Sequence, residues 1–443
     1  MTDVLDVPRL AELPVLGSTL SIQRDLLGFY RRAVESGLPL VRVHAGVPGL
    51  RLTMVIATSP EAVEEVLTRR EFTKQARPYR ELAGYIGDGL LTLDGDAWLA
   101  HRRLLQPLFT PRQVAASAPV VEEEAGRLVA ELAEAAPAGQ VDLAEASIRY
   151  ALRVIARLVF GPGAEEITRA VGSGFPALNS HIEWRSMVPF APPRDWPTPG
   201  NIRAERARRQ LVDVVDRLVA QAPGRTDAGV PDLVSRLVAA RDPDTGAAPT
   251  PEEVRAETLL FLLAGYETTA TAVTATLHLM GAHPEWQDRV RAEAAEGTPG
   301  APLAWAVVQE AMRLYPSALH ISRTGPDGAV VLGHRIPSGA LVVIPISGLH
   351  RNPRVFPDSD RFDPTRFLGT PDPPRHRYAY VPFGAGPRAC IGAQLARLEA
   401  VTGVREVVRS LDVRTGPGGI PVTPGVTLRP RGRVPAQVRR RAR

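Results

Sequence analysis

The chain has 443 residues, and its 44% of hydrophobic residues are enough to bury a sizeable core. Its 53 basic against 48 acidic residues give a net charge of +5, spread along the sequence apart from the arginines at 439–443. Because no recognised nucleic-acid-binding motif accompanies this charge, nucleic-acid binding is not expected. The single cysteine excludes an internal disulfide. No signal-peptide pattern opens the sequence and no apolar run reaches the roughly 18 residues that span a bilayer, so we expect a cytoplasmic protein without a membrane anchor.

The pattern of apolar residues predicts a mainly helical chain with small β-sheets, folded as a single domain over residues 1–443. An extended lead-in at 8–20 comes first, and the basic tail at 434–443 is expected to be disordered. Helical spacing is found over 23–36, 96–107, 119–136, 142–160, 201–222 and 230–240, with a helix start at Ser59-Pro60. Strands are predicted over 40–44, 52–58, 329–332, 341–345 and 420–427. Glycines at 72–92 and prolines at 190–200 predict irregular segments.

The longest predicted helix begins at Thr250, where Pro251 and Glu253 complete a capping-box pattern. It runs to about residue 281 and spans roughly 45 Å, because His283-Pro284 stops it. At its centre, the stretch Ala-Gly-Tyr-Glu-Thr-Thr at 264–269 introduces a glycine and polar groups into an apolar run. Taken alone, this stretch is also what a buried helix with a tolerated glycine and self-bonded threonines would show.

The only cysteine, Cys390, lies in the sequence Phe-Gly-Ala-Gly-Pro-Arg-Ala-Cys-Ile-Gly at 383–392. A helical pattern follows from Ala393 to about Leu411, so Cys390 is predicted at or just before a helix N-terminus, where free N–H groups favour a thiolate. The three glycines allow tight turns and the close approach of a bulky partner. A lone cysteine is more often a buried structural residue. An apolar core, however, needs neither three glycines nor an arginine two positions before the thiol.

This stretch resembles the haem-ligand loop of the cytochrome P450 superfamily. The pattern Phe-x-x-Gly-x-Arg-x-Cys-x-Gly is matched at every fixed position, by Phe383, Gly386, Arg388, Cys390 and Gly392. The resemblance implies a haem b cofactor whose iron is held by the Cys390 thiolate, a ligand whose electron donation favours O–O cleavage. It also implies that Phe383 packs against the cysteine side of the haem and that Arg388 pairs with a propionate.

The stretch at 264–269 is similar to the family's central-helix pattern, Ala/Gly-Gly-x-Asp/Glu-Thr-Thr/Ser. This similarity implies that Ala264 and Gly265 lie beside the haem, where Gly265 would let haem and dioxygen approach the backbone. Thr268 would hold a hydrogen-bonded water near the bound oxygen, and Glu267 would help relay protons from solvent. The acid–alcohol pair favours the use of dioxygen and electron transfer over the use of peroxide.

Glu310 and Arg313 are similar to the family's Glu-x-x-Arg motif, which an arginine of a later Pro-x-Arg-Phe segment completes. Here that arginine is Arg366, and Thr365 stands where the family usually has an acid. As a surface pair, Glu310 and Arg313 would carry no meaning. The resemblance implies that the three residues form a structural network behind the ligand loop, which serves folding and haem retention rather than catalysis.

Further haem contacts follow from the resemblance. Trp98 and Arg102, one helical turn apart, match a family pattern in which both reach a propionate, and Arg323 matches another. A solvated position for Arg102 stays open, because Arg103 is adjacent and only one of them can point inward. His350 could touch a propionate or act as a cap. The other histidines lack metal-ligand spacing and are interpreted as structural, although one of them could face the pocket: His101, His181, His278 and, for the pocket, His320.

The resemblance implies a bacterial haem-thiolate monooxygenase that inserts one atom of O2 into a lipophilic small molecule, by hydroxylation or epoxidation, in secondary metabolism. Terpenoid, polyketide and fatty acyl compounds are candidate substrates. The enzyme is expected to be a monomer that takes electrons from a separate ferredoxin or flavodoxin and its NAD(P)H-dependent reductase, because the haem domain fills the chain.

Candidate walls of the substrate pocket are mainly apolar, which agrees weakly with a lipophilic substrate. They are 72–92, 190–196, the helix face with Phe261, 319–321 and the loop near Val426. In the family, the segment equivalent to 190–200 roofs the cavity, so it is interpreted as a lid rather than a plain connector. Two alternative functions stay open: oxidative coupling or desaturation without oxygen insertion, and non-catalytic binding of haem or another ligand.

Overall fold

The computed structural model describes residues 4–13, 16–47, 49, 51–136, 139–188, 191–222, 232–370, 374–425 and 427–441. In this part of the chain the α-helices are α1 (Thr19–Arg24), α2 (Leu26–Glu35), α3 (Pro60–Thr68), α4 (Arg77–Ile86), α5 (Gly95–Leu105), α6 (Pro111–Ala115), α7 (Ala118–Ala135), α8 (Leu143–Phe160), α9 (Glu165–Met187), α10 (Pro199–Ala220), α11 (Leu233–Ala239), α12 (Pro251–Ala282), α13 (Pro284–Glu296), α14 (Pro302–Leu314), α15 (Ile346–Leu349) and α16 (Ala393–Ser410). The strands are β1 (Leu5–Asp6), β2 (Leu40–Ala45), β3 (Leu52–Ala57), β4 (Val141–Asp142), β5 (Ile321–Thr324), β6 (Val330–Val331), β7 (His334–Arg335), β8 (Leu341–Ile344), β9 (Leu411–Arg414), β10 (Val422–Pro424), β11 (Leu428–Pro430) and β12 (Pro435–Arg440). The prediction of a mainly helical fold with small sheets is confirmed.

Backbone proximity divides the chain into two compact units. Unit 1 comprises Met1–Ala76, Pro302–Cys390 and Pro421–Arg431. Unit 2 comprises Arg77–Ala301, Ile391–Ile420 and Gly432–Arg443. Each unit is built from chain segments that are distant in sequence, so no single linker separates them. The prediction of one domain over 1–443 stays a prediction.

Unit 1 is organised around a four-stranded sheet with the strand order β2-β3-β8-β5. Strand β3 pairs antiparallel with β2 and parallel with β8, and β8 pairs antiparallel with β5. Val55, Val342 and Ile344 are fully buried on this sheet, as expected for strands rich in β-branched residues. Its core packs against helix α3, whose Ser59 cap accepts a hydrogen bond from the Ala62 N–H.

Unit 2 is organised around helix α12, which packs along α8 and also contacts α10 and α16. The predicted capping box is present, because the Thr250 hydroxyl accepts from the Glu253 N–H and the Glu253 carboxylate accepts from the Thr250 N–H. The helix ends at Ala282, where the predicted stop occurs: Pro284 opens the next helix. Among the described residues, no helix is both long and apolar enough to cross a bilayer.

Several helices were not predicted from the sequence, and α4 and α9 show why. Helix α4 lies within the segment 72–92, which the glycines had indicated to be irregular. Helix α9 was not predicted because Gly172, Gly174 and Pro176 interrupt its sequence. Its buried apolar residues nevertheless recur at helical spacing, which was the signal that could have found it: Ile167, Val171, Phe175, Leu178 and Ile182.

The basic tail is a structural element, so its prediction as disordered is wrong over 435–440. Strand β12 pairs antiparallel with β9 and with β4, placing Val438 opposite Val413. Along β12 buried and exposed residues alternate, with Ala436 and Val438 buried beside exposed arginines. The prediction of disorder rested on the arginines. The alternation of buried and exposed residues with a period of two was the signal that indicates a half-buried strand here.

The buried face of β12 can be tested with two neighbouring substitutions. Val438→Ala should lower the free energy of unfolding by about 2 kcal/mol, because it removes buried methyl groups and leaves a cavity. Gln437→Ala, on the exposed face of the same strand, should change it by less than about 0.5 kcal/mol. Denaturant midpoints of the two variants measure this difference, and equal midpoints would contradict the strand assignment.

Candidate functional site

The loop of the only cysteine has a backbone that two glycines make possible. Gly384 and Gly386 have φ values of +67° and +69°, in the left-handed region that favours glycine. A Cβ at Gly386 would lie 2.3 Å from the carbonyl oxygen of Leu67 in α3, so this position also needs glycine for close packing. The Cys390 N–H donates to the Phe383 carbonyl at 2.9 Å, which ties the two ends of the loop together. The close partner of Gly386 is therefore the end of helix α3.

Cys390 is an exposed residue. Free cysteines are among the most buried residues of proteins, so an exposed cysteine on a backbone-fixed loop is unusual. Helix α16 begins at Ala393, three residues later and as predicted. Its N-cap is Gly392, with a φ of −87° that does not by itself require glycine.

His350 supports the chain that leads into this loop. Its ring is fully buried, and its Nε2 accepts from the Val381 N–H at 2.9 Å. Burial, reinforced by nearby Arg313, lowers the pKa of His350 to about 3, so the ring stays neutral and can accept this bond. It also contacts the Tyr380 ring, with 4.7 Å between centroids. His350 follows α15 directly and braces the backbone at Val381, and its two predicted roles, propionate contact and cap, stay predictions.

Glu310, Arg313 and Arg366 come together in unit 1. Glu310 and Arg313 are both fully buried and form a bidentate pair, with Nε–Oε2 at 2.7 Å and Nη2–Oε1 at 2.8 Å. Arg366 is less tightly engaged, since its Nε lies 3.5 Å from Glu310 Oε1. The remaining donors of Arg313 bind backbone carbonyls of three residues downstream: His350 at 2.9 Å, Ser359 at 2.6 Å and Arg361 at 3.0 Å. The motif thus fixes the chain segments that precede the cysteine loop.

Arg375 also belongs to this region, although no sequence motif indicated it. Its guanidinium lies over the ring of Phe356 at 4.4 Å and that of Phe367 at 5.2 Å. Burial lowers its pKa, and Arg313 nearby has the same effect. These two aromatic rings contact the Arg375 guanidinium, whereas the Glu310 carboxylate contacts that of Arg313.

Unit 1 also contains the two arginines predicted to bind propionates besides Arg102. Arg323 lies on β5 opposite Val342, is 3% exposed, and donates from Nη1 to the Ser322 carbonyl at 2.9 Å. Arg388 is half-buried in the single turn Gly386–Arg388. Cys390, Arg323 and Arg388 therefore belong to one compact unit.

In unit 2, the buried run at the centre of helix α12 contains one exposed and three half-buried residues. Leu263 and Thr269 are buried, whereas Ala264 between them is exposed and Gly265, Glu267 and Thr268 are half-buried. A Cβ at Gly265 would lie 2.8 Å from Ile155 Cγ1, so its glycine is needed for contact with α8. The predicted approach of a ligand to Gly265 stays a prediction.

The Thr268 hydroxyl has a defined direction. Its Oγ1 donates to the Ala264 carbonyl at 2.7 Å, one helical turn earlier. Because the proton of the hydroxyl is used in this bond, the oxygen can take part in a further hydrogen bond only as an acceptor. Thr271 makes the same kind of bond to the Glu267 carbonyl at 3.0 Å, but it is buried.

Trp98 and Arg102 lie on α5, with Trp98 buried and Arg102 half-buried. Arg103 forms ion pairs with Asp242 and Asp244, at 3.6 and 3.0 Å. Of the two adjacent arginines, Arg103 therefore takes the surface ion pairs. The contact of Arg102 with a propionate stays a prediction.

The proline-rich segment between α9 and α10 is anchored by hydrogen bonds. Arg185 donates to the Pro192 carbonyl at 2.7 Å, and Asn201 donates to the carbonyls of Pro193 and Trp196 at 2.8 and 2.9 Å. A cavity of about 530 Å³ lies beside this segment and the two helices. The lid function stays a prediction, and Phe190 and Val426, two of the predicted pocket residues, lie outside the described residues.

The histidines interpreted as structural make bonds of that kind. His181 lies 3.1 Å from Asn201 Oδ1, and His278 lies 3.0 Å from the Gly418 carbonyl. The His320 ring meets the Tyr30 ring edge-on, with centroids 5.7 Å apart, and burial lowers its pKa to about 4. Among the described residues, no group of three or more His, Cys, Asp or Glu side chains could hold a metal ion.

Glu399 of α16 is a buried acid that sequence reasoning missed. It is 2% exposed and accepts a hydrogen bond from Thr269, the residue after Thr268. Its backbone carbonyl accepts from the buried Tyr150 hydroxyl at 2.8 Å. Burial raises the pKa of Glu399 to about 8, because no positive charge offsets its desolvation. Its carboxyl group is therefore neutral at pH 7.

Glu399 should make the stability of the protein depend on pH. Its pKa rises from 4.5 in the unfolded chain to about 8 in the folded one, so its contribution is complete below pH 4.5 and is lost as the pH rises to 8. Glu399→Gln removes this loss, and its stability relative to the wild type should grow over that window by on the order of 4 kcal/mol.

Urea unfolding of both proteins at pH 5, 6, 7 and 8 measures the effect. Glu406→Gln is the matched control, because Glu406 lies on the same helix with its side chain partly in solvent. A constant difference between wild type and Glu399→Gln at all pH values would contradict the neutral state of the acid.

Comparison with known proteins agrees with this geometry. A family model described as cytochrome P450 matches residues 8–431. The chain is 32% identical over 425 residues to cyclooctat-9-en-7-ol 5-monooxygenase of Streptomyces melanosporofaciens, covering 92% of this chain and 89% of the relative. It is 30% identical to cyclooctatin synthase of the same organism, over 95% and 91% of the two chains. The crystal structure of the cytochrome P450DA heme domain has a TM-score of 0.85 and 25% identity, with 99% of both chains covered.

Proposed function

The chain belongs to the cytochrome P450 family and is a monooxygenase of that family, and we propose that Cys390 is the thiolate ligand of its haem b. The observation that carries this proposal is the exposed Cys390 on a loop held by glycine turns and by the Phe383 carbonyl. A thiolate is a soft ligand suited to iron, and in this family it favours O–O cleavage.

The residues present fit a haem. The loop offers a thiol to the iron, and Arg323 and Arg388 in the same unit offer guanidinium groups to the propionates. Trp98 and Arg102 of α5 are proposed as the further propionate contacts. At Ala264 and Gly265, α12 exposes small residues in the middle of a largely buried run, which suits contact with a planar ring. Phe383 is proposed to pack on the cysteine side.

When bound, the haem supplies the activation of dioxygen. Thr268 is proposed to position a water molecule, because its hydroxyl proton is used in the bond to Ala264 and its lone pairs can accept from water. Glu267, half-buried on the same turn, is proposed to exchange protons between solvent and this water. Glu310, Arg313 and Arg366 are proposed to hold the loop and retain the cofactor without touching substrate.

The substrate is proposed to be a lipophilic small molecule of secondary metabolism, into which one oxygen atom is inserted. Support comes from the relatives, one of which is named as a monooxygenase of cyclooctat-9-en-7-ol. An unsaturated cyclic alcohol, or terpenoid, is therefore the first class to test. Mass analysis of the product would separate a gain of oxygen from a loss of hydrogen.

Electrons are proposed to come from a separate ferredoxin or flavodoxin with its reductase. The sequence has no Gly-x-Gly-x-x-Gly fingerprint and no phosphate-binding loop, so this chain lacks the motifs for binding NAD(P)H itself. Arginines near the cysteine loop would suit an acidic donor. Charge reversal there should lower the rate of reduction most strongly at low salt.

The ligand assignment predicts the absorption spectrum of the reduced protein under carbon monoxide. The wild type should show a strongly red-shifted Soret band, because the thiolate donates electron density to the iron. Cys390→His should abolish the shift, since imidazole is a neutral ligand, while bound haem is quantified separately. An unshifted band in the wild type would contradict thiolate ligation by Cys390.

The role of Thr268 predicts a change in the fate of electrons. Thr268→Ala should divert NADH-derived electrons to hydrogen peroxide and lower product formation by about 100-fold, the lower range for a lost proton-transfer step. Peroxide released per NADH oxidised, with a surrogate ferredoxin and reductase, measures it without a known substrate.

Thr271→Ala is the matched control, because it removes the same kind of bond to the preceding turn at a buried position. Equal peroxide yields from the two variants would contradict a proton-transfer role for Thr268.

A further inference from the structure

Within unit 2, one buried carboxylate joins three elements of the chain. Glu257, in the second turn of α12, is 1% exposed. Its Oε1 accepts from the Leu90 N–H at 2.7 Å and lies 2.9 Å from Nδ1 of His101 on α5. The other ring nitrogen, Nε2, lies 3.3 Å from Glu253 Oε1. The imidazole of His101 thus lies between two acids of α12.

The segment 87–93 is held against α12 at this point. Gly87 has a φ of +92°, and a Cβ there would lie 3.1 Å from Ala256 Cβ. A Cβ at Gly89 would lie 3.0 Å from Glu257 Oε1. The segment closes on itself, because the Leu93 N–H donates to the Gly89 carbonyl at 2.9 Å. It is a compact turn that donates a hydrogen bond to α12 from the Leu90 N–H.

This attachment lies on the same face of α12 as Ala264 and Thr268. Glu257, Phe261, Ala264 and Thr268 are spaced by four, three and four residues, so their side chains leave the helix on one side. Glu257 is eleven residues from Thr268, about 16 Å along the helix axis. The carboxylate therefore sets the position of segment 87–93 relative to the face that carries Thr268.

The net charge of the group formed by Glu253, Glu257 and His101 depends on whether His101 is protonated. A buried carboxylate is costly unless it is paired and hydrogen-bonded, and Glu257 Oε2 is buried without a hydrogen-bond partner. The hydrogen bond to Glu257, and the charges of Glu257 and Glu253, raise the pKa of His101 above 6.5. Other charged groups nearby face elsewhere, since Arg103 pairs with Asp242 and Asp244, and Asp88 is exposed.

We propose that His101 and Glu257 form a proton-dependent clamp that holds segment 87–93 in place and so shapes the substrate site. With His101 protonated, the imidazolium neutralises Glu257 and keeps its Oε1 directed at the Leu90 N–H. When His101 loses its proton, Glu257 keeps its charge but loses the imidazolium that neutralises it, so the buried carboxylate and the segment bonded to it are held less tightly. His101 and Glu257 are positioning residues. The inference rests on the proposed function in one respect, namely that segment 87–93 borders the substrate.

Backbone hydrogen exchange tests the clamp in the full-length protein. The Leu90 amide should be protected at pH 6, and its protection factor, corrected for intrinsic exchange, should fall about tenfold by pH 9. Glu257→Gln, which keeps the shape of the side chain and removes its charge, should lower the protection at pH 6 and abolish its pH dependence. Glu252→Gln, an exposed acid of the same helix, should behave as the wild type.

A second variant guards against a folding defect in Glu257→Gln. His101→Gln should likewise flatten the pH profile, and NMR titration should show that the His101 pKa of the wild type falls in Glu257→Gln. Unchanged protection of Leu90 in both variants, or a pH-independent profile in the wild type, would overturn the clamp.

The link to substrate is tested with two azoles that bind haem iron, followed by absorption. The affinity for the larger 4-phenylimidazole should fall several-fold between pH 6 and pH 9 relative to imidazole, and this pH dependence should be absent in Glu257→Gln. Equal pH dependence in wild type and variant would overturn the role of the clamp at the substrate site. A protein that binds no haem would contradict the proposed function, while amide exchange would still decide the clamp.

Discussion

The guanidinium of Arg313 is the interaction on which the cysteine loop's supporting structure in unit 1 depends. It is fully buried, paired in bidentate fashion with Glu310, and bonded to backbone carbonyls of His350, Ser359 and Arg361. A buried ion pair of this kind gains little over an apolar pair, but removing one partner leaves a buried charge and costs about 3–5 kcal/mol. The pair is therefore best understood as a device that fixes chain segments. Through His350, the same cluster reaches the Val381 N–H, nine residues before Cys390.

Three of the buried carboxylates among the described residues differ in the partners they contact. Glu310 lies against Arg313, a guanidinium that carries a permanent charge. Glu399 has only a threonine hydroxyl for a partner, and its raised pKa keeps it neutral. Glu257 lies against His101, whose pKa is raised by the hydrogen bond to Glu257 and which, unlike an arginine, can lose its charge. The same residue type thus serves as a permanent anchor, a neutral hydrogen-bonding group and a pH-sensitive attachment.

Helix α12 has well-determined ends and polar residues at its centre. Its ends are well determined, by a capping box at Thr250 and by Pro284 after its last turn. At its centre, one turn carries the half-buried Glu267 and Thr268 between buried apolar stretches. Polar residues in such a helix lower its stability, and natural sequences retain them where they serve a function. Two buried acids make hydrogen bonds on either side of this turn. Glu399 of α16 accepts from Thr269, and Glu257 of α12 accepts from the Leu90 N–H.

The sequence by itself determined the local chemistry. The glycine–cysteine loop, the stretch at 264–269 and the Glu310–Arg313 spacing were each recognisable, because backbone conformation and motif spacing are properties of short segments. The α12 capping box and the start of α16 were predicted for the same reason. The sequence-based prediction failed where a strong local signal outweighed a weaker periodic pattern. The arginines of β12 predicted disorder in place of a strand, and the glycines and proline of α9 concealed a helix.

Only the tertiary structure decided which distant residues meet. His101 and Glu257 are 156 residues apart in sequence, and neither carries a motif that announces its partner. The requirement for glycine at Gly265 comes from Ile155 of α8, and that at Gly386 from the Leu67 carbonyl of α3. Burial and long-range pairing set the state of each acid, and these depend on packing between elements, for which short-range sequence patterns contain no information.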